Sequence, residues 1–239
     1  MKRELHRGFL VAVEGIDGAG KTTQVARLAD VMQKEGLDVV VSKEPTNGKW
    51  GSLLRRSATE GRLSPEAELA AFLEDRKEHV AELIRPALER RALVILDRYY
   101  FSTMAYQGLH GVDPEHLRQL NEEFAPVPDL LVILDLDPEA SLARIEGRGD
   151  QANHFERVHL LEQSREIFQR YIEPSPRRSP DGRQCWVYRV DASRPVEEIA
   201  SDIRIRLIQV AFETISAEFK DGSEAMKAAM RLNGVPVTP

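Results

Sequence analysis

Residues Gly15 to Thr22 read GIDGAGKT and fill the pattern G-x-x-x-x-G-K-[ST], directly after an apolar run and directly before a segment with helical spacing. No other feature of this sequence constrains the fold as strongly. Glycines let the backbone bend into a nest of N–H groups, and the following helix adds the positive end of its dipole, so such a loop surrounds phosphate oxygens. Lys21 then reaches the β- and γ-phosphates of a nucleotide, and the Thr22 hydroxyl faces Mg²⁺. The expected ATP-phosphate site is therefore Gly15, Asp17, Gly18, Ala19, Gly20, Lys21, Thr22 and Thr23.

The runs FLVAVE (Phe9 to Glu14), LVILD (Leu93 to Asp97) and LLVILD (Leu130 to Asp135) read as strands buried on both faces, which is the mark of a parallel sheet covered by helices. DVVVSK (Asp38 to Lys43) and CWVYRV (Cys185 to Val190) are weaker candidates and bring the number to five. Helical patterns lie between and after them: Thr22 to Glu35, Ser64 to about Arg90 with Pro86 as a kink, Pro114 to Phe124, Pro138 to Glu146, Phe155 to Tyr171 and Pro195 to Phe219. This alternation predicts an α/β fold, a three-layer P-loop NTPase architecture with a five-stranded parallel sheet between helices. One domain over 1–219 is expected. Glu146 to Glu156 reads as a mobile loop, Glu173 to Gly182 as an exposed turn, and 220–239 as a tail of no assigned role.

A chain of 239 residues can bury a full core without staples. The single cysteine, Cys185, forms no internal disulfide and supplies no thiolate cluster for zinc, which fits a reducing cytoplasm. A net charge of -6 argues against a general electrostatic hold on nucleic acid or anionic lipid. The apolar run from Phe9 to Val13 is too short for a signal peptide, and no run approaches the roughly 20 residues that span a bilayer. The sequence thus predicts a cytoplasmic protein that grips an anion locally, with no nucleic-acid or membrane partner.

Asp97 and Arg98 follow the third strand, at the carboxyl edge where open α/β sheets gather ligands. Beside a phosphate-binding loop, Asp97 is the expected second Mg²⁺ group, and the Arg98 fork suits an acceptor phosphate.

Four blocks, EGIDGAGKTTQ, FLEDRKEH, DRYYFSTMAYQG and PDLLVILDLDPEASLARI, resemble the thymidylate kinase family in that order, and the resemblance covers roughly Phe9 to Ile208. It implies transfer of a phosphoryl group from ATP to dTMP on a five-stranded parallel sheet with a flexible lid, usually by a homodimer. It also implies roles position by position. Phe72 stacks on the base and Arg76 reads its edge. Tyr106 crowds the sugar 2′ position, Gln107 is a polar pocket residue, Asp17 accepts from the 3′-hydroxyl and Pro45 walls the pocket. Lys21 and Arg98 are the catalytic cations outside the lid.

One subgroup of that family carries a catalytic arginine where Gly18 stands here, so this chain resembles the subgroup that supplies it from the lid. Arg148 is the first choice, Arg144 faces the donor nucleotide, and Arg157 is the next candidate. KEPTNGKWG (Lys43 to Gly51) replaces the family's shorter EPGGT type of loop, and the lid has fewer arginines than many relatives carry. Alternatives within reach of the motifs are a kinase for another deoxynucleotide or a deoxynucleoside, and a nucleotide-binding switch with no acceptor.

Overall fold

The structure, a computed structural model, describes residues 5–145, 154–170, 177–178 and 184–218, with backbone alone for 154–156, 177–178 and 215–218. The strands are β1 (Phe9–Glu14), β2 (Val39–Lys43), β3 (Leu93–Asp97), β4 (Leu130–Asp135), β5 (Arg177–Arg178) and β6 (Gln184–Asp191). The helices are α1 (Lys21–Lys34), α2 (Lys49–Glu60), α3 (Pro65–His79), α4 (Arg85–Glu89), α5 (Tyr100–Gly108), α6 (Pro114–Glu122), α7 (Pro138–Ile145), α8 (His154–Gln169) and α9 (Val196–Glu218).

The sheet order is β2-β3-β1-β4-β6-β5. Its first five strands are parallel, and only the two residues of β5 run antiparallel, against β6. The five predicted strands are the five parallel ones. From β1 the chain goes to one side for β2 and β3 and to the other for β4 and β6, so a crevice opens at the carboxyl end of β1, where GIDGAGKT begins. Register brings Asp97 beside Val13 and Ile133 beside Glu14 at that same edge. β1 and β3 are buried along their whole length, and each buried Val, Leu or Ile stabilises the fold by about 1.5–3 kcal/mol.

The segment after Ser64 is helical to Glu89 but not uniform. Ser64 caps α3 by accepting from the Ala67 N–H, and Val80–Ile84 take the wider π spacing just before Pro86. Pro86 has no N–H to donate, and its ring would strike the carbonyl four residues back. The widened turn, with the Arg85 N–H on the Val80 carbonyl, relieves the conflict without breaking the rod.

Two helices lie outside the sequence reading. In α2, Gly51 packs so closely that an added Cβ would stand 2.0 Å from the Thr46 carbonyl oxygen. Glycine lowers helix propensity and so hides the helix, while the fold requires it. α5 is short and buried nearly all round, through Tyr100, Phe101, Met104 and Ala105, so it shows no amphipathic period. It packs against α3, α6 and α8 and walls the crevice. Among the described residues no helix is long and apolar enough to cross a membrane.

Candidate active site

The loop after β1 owes its shape to three glycines at positive φ: Gly15 at 139°, Gly18 at 79° and Gly20 at 96°. At Gly18 an added Cβ would meet the Ser141 carbonyl oxygen at 2.6 Å, because α7 lies directly against the loop. The Ser141 hydroxyl also donates to the Asp17 carbonyl and ties the two together. This packing leaves no room for a side chain at Gly18.

Lys21 is buried, and its Nζ donates to the carbonyls of Gly15 at 2.9 Å and Ile16 at 2.8 Å. Burial, and then the charge of Arg98, bring its pKa down to about 8 against the pull of Asp17, Glu14 and Asp97. A phosphate entering the loop would restore the charge that burial penalises. Thr22, at the start of α1, donates its hydroxyl to Asp97 Oδ2 at the end of β3. These are two convergent hard oxygens. Among the described residues no cluster of three or more His, Cys, Asp or Glu could hold a metal. The pair therefore fits Mg²⁺, which takes one or two protein oxygens and fills its octahedron with water and phosphate.

Arg98 has φ 70°, a left-handed conformation rare for a side chain of its size. Its N–H donates to the Val13 carbonyl at 3.1 Å, and its guanidinium pairs with Asp17, reaches Ser102 Oγ at 3.3 Å and lies 5.7 Å from the Tyr106 ring centre. Burial opposes the charges of both partners. For Arg98 it is outweighed by Tyr106, Asp17 and Glu14, which raise its pKa further, and for Asp17 by Arg98 and Lys21, which hold the carboxyl below its ordinary value. The Tyr106 hydroxyl is buried beside Arg98 and Asp17, and burial, more than either neighbour, raises its pKa to about 12.

Close to Arg98 lies Glu14, fully buried, which the sequence reading took as the end of a strand and gave no role in the site. Its carboxyl accepts from Tyr99 N at 2.7 Å, Ser102 N at 3.1 Å and Ser102 Oγ at 2.7 Å. Burial pushes its pKa up to about 7, against Ser102, Arg98, Tyr99 and Lys21.

Two chambers meet at Arg98 and Pro45. The deeper, of about 690 Å³, is lined by Asp17, Pro45, Phe72, Arg76, Arg98, Tyr106 and Gln107, so every residue expected to touch the acceptor faces one cavity. Asp17 borders this cavity and not the other chamber. The shallower cleft, of about 510 Å³, is lined by Gly18, Gly20, Lys21, Thr22, Thr23 and Asp97, with Lys43, Arg55, Arg98 and Arg144 adding positive charge. Gly15 and Ala19 are buried and shape the loop from behind. Arg144 donates to the Ala192 carbonyl at 3.0 Å. Arg148, with most of the expected lid, lies outside the described residues, whereas Arg157 on α8 borders the deeper cavity.

Arg76 is 1% exposed. It donates through Nε to Glu44 at 2.8 Å, through Nη2 to Glu44 at 2.6 Å and Thr103 at 3.1 Å, and through Nη1 to Asn121 at 2.5 Å. A guanidinium carries five N–H groups, so a single Nη1 hydrogen remains for a ligand. His79 Nδ1 meets the other Glu44 oxygen at 2.9 Å, and Arg76 and His79 keep the Glu44 carboxyl below its ordinary pKa although burial opposes this. Asp75 accepts from Thr46 N at 2.8 Å and Thr46 Oγ1 at 2.6 Å, which fastens the Glu44-Pro45-Thr46 turn to α3. Sequence reading missed Glu44, Asp75, His79, Thr103, Asn121 and Arg55. The one signal for them was the charged run from Asp75 to His79 on a helix with few other buried residues.

A phosphate-binding loop, an oxygen pair for a cation and a base-sized cavity sharing one arginine define a P-loop kinase of small molecules. Comparison with known proteins narrows that class. The family model for thymidylate kinase matches residues 13–203. A thymidylate kinase of Akkermansia muciniphila is 48% identical over 198 residues, covering 83% of this chain and 90% of its own. Thymidylate kinases of Xanthomonas campestris pv. campestris and Xanthomonas oryzae pv. oryzae are each 55% identical over 161 residues, 67% of this chain and 70% of theirs. The chain belongs to the thymidylate kinase family.

Proposed function

We propose that this protein transfers the γ-phosphoryl group of ATP to dTMP, giving ADP and dTDP, within one domain formed by residues 1–219. The observation that carries this reading is the meeting of the two chambers at Arg98, which places one guanidinium between the donor cleft and the acceptor cavity. The acceptor phosphate is already a nucleophile, so acceleration comes from positioning and charge neutralisation and needs no general base. Lys21 holds donor phosphate oxygens and Arg144 faces the donor nucleotide. Arg98 holds the acceptor phosphate. Phe72 stacks on the base, Arg76 donates its remaining hydrogen to it, Tyr106 closes the sugar 2′ side, and Asp17 accepts from the 3′-hydroxyl.

Thr22 and Asp97 would hold Mg²⁺, which supplies charge neutralisation across the β- and γ-phosphates when bound. Arg148 supplies positive charge to the migrating phosphoryl group. The protein acts in the cytoplasm as a homodimer. A coupled assay of ADP release across a panel of nucleoside monophosphates tests the reaction. Turnover should be fastest with dTMP, and no stimulation by any monophosphate would overturn the reading in favour of a switch.

A further inference from the structure

Gln107 is 2% exposed and uses one end of its amide: Nε2 donates to Glu68 Oε2 at 2.7 Å, while Oε1 is buried without a partner. A carboxylate only accepts, so the end of the amide that meets Glu68 must be the nitrogen, and the oxygen must be the free end. Both residues line the acceptor cavity. Glu68 stands in the first turn of α3, four residues before Phe72 and eight before Arg76, so one helix carries the carboxylate, the ring and the guanidinium. A buried acceptor left unmade is costly, and its retention in a cavity wall calls for a donor on the ligand.

Both residues line the cavity, Arg76 with one Nη1 hydrogen beyond its bond to Asn121 and Gln107 with an oxygen that has no protein partner, so the wall holds one donor and one acceptor in reserve. A 4-oxopyrimidine such as thymine offers the complement, an acceptor at O4 beside a donor at N3–H. A 4-aminopyrimidine such as cytosine offers the reverse, a donor at N4 beside an acceptor at N3. We infer that Glu68 sets the preference for a 4-oxopyrimidine by holding the Gln107 amide with its oxygen free for the base. This rests on the acceptor reading given above. Glu68 is a positioning residue: it acts through Gln107 and needs no contact with the substrate.

Two substitutions test it. Glu68→Lys puts a donor where the acceptor stood and reverses the amide, and Glu68→Gln lets the amide take either orientation. The readout is kcat/KM for dTMP and for dCMP, with melting temperature as the check on folding. The ratio of dTMP to dCMP should fall about tenfold or more in Glu68→Lys, with Glu68→Gln between it and wild type and the KM for ATP unmoved. A purely structural role would lower both acceptors by one factor and keep the ratio, and that result in Glu68→Gln, which preserves shape, overturns the inference. A wild-type enzyme that phosphorylates dCMP as readily as dTMP would overturn both this inference and the proposed acceptor. Variants that retain the ratio of a dTMP-selective wild type would overturn the role of Glu68 alone.

Discussion

Asp17 and Arg98 form an ion pair that joins the loop after β1 to the residue following β3. The parallel register sets Val13 beside Asp97, so the two side chains leave neighbouring strand ends and converge on one cavity. Arg98 stays in its left-handed conformation because the Val13 carbonyl takes its N–H and Glu14 holds the next turn through Tyr99 and Ser102.

The contrast between Tyr106→Ala and Asp17→Ala tests how the site separates deoxyribose from ribose. Tyr106 faces the cavity with a ring packed near Arg98, and a wall rejects an extra hydroxyl by leaving it neither room nor partner. Tyr106→Ala should lower the preference for dTMP over ribothymidine monophosphate by about tenfold. Asp17→Ala should weaken both acceptors alike, since both sugars carry the 3′-hydroxyl. Steady-state kinetics on the two nucleotides decides it. Equal losses on both sugars in Tyr106→Ala would make Tyr106 a packing residue.

Lys21→Ala should reduce kcat by about three orders of magnitude, the scale of a lost charge donor at a migrating phosphoryl group. Stability should hold or rise, because the nucleotide-free fold keeps a buried ammonium whose pKa has fallen to about 8. Single-turnover kinetics and a melting curve on one preparation measure the two effects separately.

Gly18→Ala and Gly20→Ala should differ although both glycines have positive φ. A Cβ at Gly20 meets nothing within 4 Å, so its cost is the backbone alone, about 1–2 kcal/mol. At Gly18 the Ser141 carbonyl oxygen at 2.6 Å adds a clash between two backbones, and the loop must part from α7. Urea denaturation should rank Gly18→Ala as the more destabilised, and equal losses would show that the loop and α7 separate freely.

Glu14 gives stability a pH dependence opposite to that of an ordinary paired carboxylate. Its pKa rises from 4.5 to about 7 in the folded chain, chiefly through burial, so the folded state binds the proton more tightly than the unfolded state. Its contribution is fully present below pH 4.5 and is lost as pH rises through about 7. Denaturation midpoints at the two ends of that window should fall with pH in wild type. The fall should be smaller in Glu14→Gln, and an unchanged slope would place Glu14 ionised throughout.

The amino-acid sequence determined the α/β class, the five parallel strands and the nucleotide loop. Each of these is local: runs of Val, Ile and Leu make buried strands, and GIDGAGKT needs only its own glycines and the next helix. The short helices α2 and α5 stayed hidden because Gly51 answers to the Thr46 backbone and the buried face of α5 to three neighbouring helices. Tertiary structure alone decided which groups complete the site. Glu14, Glu44, Thr103 and Asn121 stand on four separate elements or turns, and each was unremarkable in its own segment. They became a framework for Arg98 and Arg76 only when packing removed water, since a buried guanidinium must find its acceptors wherever the fold has brought them.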